Sequence, residues 1–192
     1  LFDSLIEYLD LVETIVKKLP RKQAFAFAFA CVERQWSVYE KSSSGKPWSG
    51  AGLRSSIDQA WQQLIDDQKM PGYLIDRCRR SIPHDDDLND PEATAAHLIS
   101  HSAIDLLSAL QEKESSYCHL PATRNFDLLE MLSDEIKETE SRSDIKPLID
   151  LEVKRQRDDL VTMRVSSNVE QIAALRETSM KTSLFGEVWF PG

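Results

Sequence analysis

The segment KLPRKQAFAFAFACVERQWSVYEK, residues 18–41, decides the fold. Phe25, Phe27 and Phe29 alternate with alanine, the pattern of a half-buried strand. Beyond Pro20, however, the stretch contains neither glycine nor proline, the pattern of a long helix. At about 100° per residue, Phe25, Phe29, Val32, Trp36 and Tyr39 fall within an arc of roughly 80°. A strand continued from the three phenylalanines would bury Cys31, turn Val32 to solvent and send Trp36 and Tyr39 to opposite faces. Only the helix gathers the large residues. Phe27, Cys31 and Val38 form a second, weaker stripe nearly opposite. The segment is therefore expected to be a central helix buried on two sides, with Phe29 and Trp36 both largely buried on one face.

Outward from this helix, the remaining periodicity is also helical. Leu5, Leu9, Val12 and Val16 recur at helical spacing, with Asp3 and Lys17–Lys18 at the ends that suit the macrodipole. SSSGKPWSGAG, residues 42–52, is a loop. A third helix is expected over Leu53–Gln68, with Leu53, Ile57, Trp61 and Leu64 as its stripe. A short fourth follows in MPGYLIDRCRRSIP, residues 70–83, and HDDDLND, residues 84–90, is a polar turn. Asp90-Pro91-Glu92 is a strong helix start, with a capping acid followed by proline and a further acid in the first turn. That fifth helix runs to about Lys113, and a sixth spans about Pro121–Glu140. A seventh is expected from Ile145 to Ser179, up to ~50 Å if unbroken. Its face carries Ile149, Val153, Gln156, Leu160 and Met163, with Gln156 the polar exception. The expected architecture is one all-α domain over residues 1–192, a bundle of about seven helices with a buried second helix and a long last one. Residues 184–192 form an extended apolar tail.

Composition narrows the function classes. A chain of 192 residues fills one good core. Its 32 acids against 23 bases give a formal charge of −9, which disfavours a phosphate-tracking surface and so nucleic acid. The basic runs RCRR and KRQR do not interleave with aromatics. Six glycines are few for sheets joined by tight turns or for a glycine-rich phosphate loop. Three widely spaced cysteines, Cys31, Cys78 and Cys118, read as reduced thiols of a cytoplasmic protein. No apolar run reaches the ~20 residues that span a bilayer. The acidic opening segment, with no basic stretch before it, is not read as a secretory leader.

Phe29-Ala30-Cys31-Val32-Glu33-Arg34, with Tyr39 five residues on, resembles a helix of the bacterial family known as domain of unknown function 416, the YjaG-like proteins. Trp61 and Leu64 match a tryptophan and leucine of that family's third helix. SIPHDDD is similar to its turn before an alanine-rich helix, and Gln156 matches a glutamine of its long last helix. Val38 departs from the pattern, standing where a proline often precedes the tyrosine. The resemblance covers nearly the whole chain and implies an all-α fold in a bacterial cytoplasm. It implies no reaction. Phe29, Cys31, Glu33, Arg34, Tyr39, Trp61 and Gln156 are read as structural members of the motif.

Three groups could carry chemistry. His97, His101 and Asp105 lie four apart, the spacing that lets two imidazoles and a carboxylate share a cation. They project from the side opposite Ala96, Ile99, Ala103, Leu106, Leu107 and Leu110, and a solvated face, or histidines bonded to neighbouring helices, is the preferred reading. No glutamate follows His97, so the helical metalloprotease pattern fails. Glu135 and Glu138 supply one half of a helical magnesium site, but Asp150/Glu152 and Asp158/Asp159 have the wrong spacing for the other. Cys31 lies about 60° from Arg34 on the helix, close enough for a guanidinium to activate a thiol. Cysteine in a buried helix is more often a small hydrophobe, and Glu33 and Arg34 suit ion pairs between helices.

No catalytic residue, metal or cofactor is therefore assigned. The preferred function is a non-catalytic protein-interaction module, an adaptor or a toxin-neutralising protein. Its partner would be another protein or a second copy, with no nucleic acid and no membrane. Leu184, Phe185, Val188, Trp189 and Phe190 are the candidate interface. The alternative is a metal-dependent hydrolase using helix-borne carboxylates or histidines.

Overall fold

The computed structural model describes residues 2–48, 50–139, 145–165 and 168–184. The described residues form helices and turns with no strand. The helices are α1 (Phe2–Val16), α2 (Arg21–Ser42), α3 (Ala51–Ile65), α4 (Tyr73–Arg79), α5 (Pro91–Glu112), α6 (Leu120–Thr139), α7 (Lys146–Val165) and α8 (Val169–Met180). A single 3₁₀ turn, Asp85–Asp87, precedes α5. None of them is long and apolar enough to cross a membrane.

The opening segment is the helix at the centre of the bundle. α2 packs against α3, α5, α6, α7 and α8. Every residue from Gln23 to Gln35 is buried, so this half of α2 is covered on all sides rather than two. The Phe/Ala alternation explains how. Residues two apart on a helix point about 200° apart, so Phe27 fills one side while Phe25 and Phe29 fill the other. The alanines between them let neighbouring backbones approach. Each buried phenylalanine contributes about 1.5–3 kcal/mol of transfer free energy. Trp36 differs from expectation. It is half-buried, stacked on Tyr39 at a centroid distance of 5.2 Å and capped by the Arg54 guanidinium at 5.0 Å.

Tyr39 also fixes where α3 begins. Its hydroxyl lies 2.9 Å from the Trp48 carbonyl and 3.1 Å from that of Ser81, pinning two loops. A Cβ on Gly50, the residue before α3, would sit 2.2 Å from the Tyr39 ring, so only glycine fits there. α5 starts as its sequence requires: Asp90 accepts from the Glu92 amide at 3.0 Å, and Pro91 opens the first turn.

The expected long last helix is two helices. Asn168 has extended backbone (φ −95°, ψ 154°), and its side chain accepts from the Gln171 amide at 2.9 Å, capping a new helix. A short polar side chain that can bond its own backbone competes with helix continuation. The break returns α8 to pack on α2 and α3. Eight α-helices thus stand among the described residues in place of seven. Past α8, Leu184 is fully buried and its amide donates to the Arg34 carbonyl at 2.9 Å.

Candidate functional site

Consecutive residues of α2 point about 100° apart, so Glu33, Arg34 and Gln35 serve different flanks of one helix. All three are buried. Arg34 faces α7, where Glu152 and Asp159 stand seven residues apart and so share a face two turns in length. Its Nε donates to Glu152 Oε1 at 3.1 Å, Nη1 to Asp159 Oδ2 at 2.6 Å and Nη2 to Cys31 Sγ at 3.3 Å. Glu152 Oε1 also accepts from Asn125 Nδ2 at 2.7 Å and Gln156 Nε2 at 2.9 Å. The Tyr8 hydroxyl donates to Gln156 Oε1 at 3.2 Å, and Gln35 Nε2 donates to Asn125 Oδ1 at 2.6 Å. One polar seam therefore joins α1, α2, α6 and α7.

The electrostatics of the seam suit a lock rather than a reaction. Burial pushes the Cys31 thiol well above its ordinary range, and the Arg34 charge beside it does not offset this. A thiolate, the reactive form, is disfavoured there. Burial likewise works against the Arg34 charge, but the Glu152 and Asp159 carboxylates around it hold the guanidinium charged. Asp159 is raised by burial, with Arg34 opposing. Burial, then Cys31 and Glu152, raise Tyr8.

Glu33 serves the other flank. Arg54 of α3 grips it in a two-pronged pair, Nη1 to Oε2 at 2.6 Å and Nη2 to Oε1 at 2.7 Å. Trp61 Nε1 donates to Oε1 at 2.8 Å. Arg54 reaches on to Asp58 at 2.6 Å, which also receives Arg176 of α8. Phe29 packs on the Trp61 ring, centroids 5.3 Å apart. Of the motif residues, Phe29, Cys31, Glu33, Arg34 and Tyr39 thus lie on α2, and Trp61 and Gln156 on the helices α3 and α7 packed against it.

No family model matches the chain, and no curated protein matches it. Among solved structures, the crystal structure of a DUF416 family protein from Shewanella baltica OS155 at 1.91 Å resolution is similar, with a TM-score of 0.76. The likeness covers 91% of this chain and 96% of that one, at 19% sequence identity. The chain has the DUF416 fold. The all-helical architecture implied by the motif's resemblance is the one found, and at this identity the likeness speaks for the fold alone.

On the DUF416 fold the remaining candidate residues fall as follows. His97 and His101 are half-buried rather than solvated, and their rings lie against each other at 4.4 Å. The covered part of α5 is wider than the expected arc, taking in Ala95, Ser102, Ile104 and Ala109. Asp105 is exposed and accepts from Arg124 at 2.6 Å. Among the described residues no three His, Cys, Asp or Glu side chains are grouped to hold a metal ion. Asp150 pairs with Lys146 at 2.6 Å. The side chains of Glu135 and Glu138 lie outside the described residues. Of the candidate interface, Leu184 is buried in its own chain, while Phe185, Val188, Trp189 and Phe190 lie outside the described residues.

Tyr8, Gln35 and Asn125 are members of the seam that sequence reasoning did not single out, and Glu152 and Asp159 entered it only as carboxylates with the wrong spacing for a magnesium site. The available signal was the spacing of Glu152, Gln156 and Asp159 at i, i+4 and i+7, a polar stripe running beside Ile149, Val153, Leu160 and Met163.

Proposed function

We propose that this chain is a member of the DUF416 family and acts as a non-catalytic protein-interaction module of adaptor or toxin-neutralising type. The observation that carries this reading is the state of the motif. Cys31, Glu33 and Arg34 are buried and spent on partners within the chain. A nucleophile or acid must meet its substrate within hydrogen-bond reach, and these groups meet only the chain's own helices. The motif then maintains a scaffold, and the working surface is the exterior, whose net negative charge speeds encounter with a basic partner.

The test removes the tail without disturbing its anchor. Truncation after Leu184 keeps the Arg34 carbonyl bond and deletes residues 185–192. Light scattering and affinity capture on full-length and truncated protein should show loss of self-association or of a specific partner, with an unchanged melting temperature. Identical mass and identical captured partners would exclude the tail as the interface. Elemental analysis separates the hydrolase alternative: one tightly bound metal per chain would replace the interaction reading.

A further inference from the structure

A cleft of about 50 Å³ lies where the start of α2, the α3–α4 turn and the end of α5 meet. Arg21, Lys22, Lys69 and Lys113 line it against a single carboxylate, Asp67. On a chain of net charge −9, the cleft gathers four cations from three separate elements around one concavity. The side chains of Arg21, Lys69 and Lys113 make no ion pair or hydrogen bond with a described residue. Lys22 spends one of its protons on the Ile65 carbonyl at 2.8 Å. Two neighbouring acids have partners outside the cleft. Asp66 accepts from Gln62 at 2.8 Å, and Glu114 accepts from the Ser116 amide at 2.9 Å.

The rim is rigid. α5 ends in a Schellman turn: the Glu114 amide bonds the Ala109 carbonyl at 2.9 Å, the Lys113 amide bonds that of Leu110 at 3.2 Å, and Lys113 is left-handed at φ 60°. α3 closes similarly, with the Gln68 amide on the Gln63 carbonyl at 2.8 Å and Asp67 at φ 55°. Two cations of the cleft thus flank fixed backbone turns, and the amides of Gln63, Gln68 and Gln111 add neutral donors. Leu64, Met70 and Leu110 add carbon surface to the lining. The enclosed volume exceeds what a single water needs, so the cleft admits a small polar group.

We propose that this cleft binds the phosphate, or a similar oxyanion, of a small soluble molecule whose remaining body lies outside the enclosed volume. Cations and amide groups among the lining of one small volume match an acceptor-only group of several oxygens. The proposal stands independently of the interaction reading. The cleft's bases also lie near the carboxyl ends of α3 and α5, where cations favour the helix dipole. The experiment must therefore separate ligand binding from helix capping.

Full-length protein at low ionic strength would be titrated with inorganic phosphate, against sodium chloride at matched ionic strength, reading melting temperature and backbone amide shifts. The expected result is a saturable, phosphate-specific rise in melting temperature. Amide shifts should concentrate at residues 21–23, 68–70 and 111–114. Arg21→Gln combined with Lys113→Gln should weaken the apparent affinity about tenfold or more, whereas Lys154→Gln with Lys181→Gln should leave it unchanged. A helix-capping role alone would lower the melting temperature of the first pair equally with and without phosphate, and that result overturns the proposal. So does the absence of a saturable response, or an equal loss in the control pair. Sedimentation with phosphatidic-acid vesicles tests the source of the phosphate. Binding to vesicles without a response to free phosphate would overturn a soluble ligand.

Discussion

Glu33 and Arg34 are neighbours in sequence, opposite in charge and equally buried, yet the clusters they anchor differ. Arg34 sits at the hub of a closed seam, its guanidinium and the Glu152 carboxylate it grips both almost fully shielded. Glu33 is shielded too, but its partner Arg54 is 19% exposed and Asp58 beyond it is 41% exposed, so that cluster opens to water. Both clusters carry unmet demand among the described residues: Glu152 Oε2 and Gln35 Oε1 in the seam, Arg54 Nε and Arg176 Nε in the other, are buried without a hydrogen-bond partner, but only the seam leaves a carboxylate oxygen so. A buried ion pair recovers its desolvation cost only with excellent geometry and full satisfaction of the remaining lone pairs. The seam is thus better read as fixing how α2 sits against α7 than as a large net stabiliser. The Glu33 cluster shares its charges with solvent, has less to lose when disturbed, and contributes less.

The sharpest way to break this contrast is Arg34→Met. It strands Glu152 and Asp159 in the interior and should cost about 3–5 kcal/mol in denaturant unfolding. Adding Glu152→Leu and Asp159→Leu should recover most of that loss, because an apolar replacement removes the demand along with the partner. If the single variant costs under about 1 kcal/mol, the seam is not held by charge.

Glu33→Leu should cost less, about 1–3 kcal/mol, since Trp61 Nε1 loses its acceptor while Arg54 turns to Asp58 and water. Stability measured alongside Arg34→Met should keep that order.

Alkaline titration tests the seam through its thiol. Burial raises Cys31 above the ordinary thiol value of 9.0, and Cys118, buried in the same way, is pushed up to about 12. In both cases the folded state holds a proton that the unfolded chain releases. The associated stability is fully present below pH 9.0 and is lost as pH rises toward the folded value. Each such thiol should steepen the loss by about 1.4 kcal/mol per pH unit. Cys31→Ala should flatten the profile by one such increment, and an unchanged slope would place the thiol in contact with solvent.

The smallest effect belongs to the outer edge of the Glu33 cluster. Arg176→Ala removes a partly exposed partner of Asp58 and should change stability by about 0–1 kcal/mol, decreasing further with salt.

Much of the frame was legible before any coordinates. Phe25, Phe29 and Val32 could share a face only on a helix, and that constraint alone removes the strand. Asp90-Pro91 marked the start of α5 through local chemistry, which needs no partner elsewhere. The break before α8 was less visible, because a cap competes with helix continuation by a small margin. Tertiary packing of α8 on α2 and α3 tips the balance. Trp36 was expected deeper than it lies, since periodicity gives a direction around a helix but not how far its neighbours extend.

Sequence by itself determined what depends on near neighbours along the chain: helices, their apolar faces, their caps and the negative net charge. Only the tertiary structure decided which charge meets which. Arg34 and Glu152 are 118 positions apart, as are Asp58 and Arg176. The same holds for the cleft, where residues of α2, the α3–α4 turn and the end of α5 come together. The reason is range. Dihedral preferences and helical periodicity act within a few residues, whereas pairing two charges or closing a cleft requires the surrounding helices to be in place first.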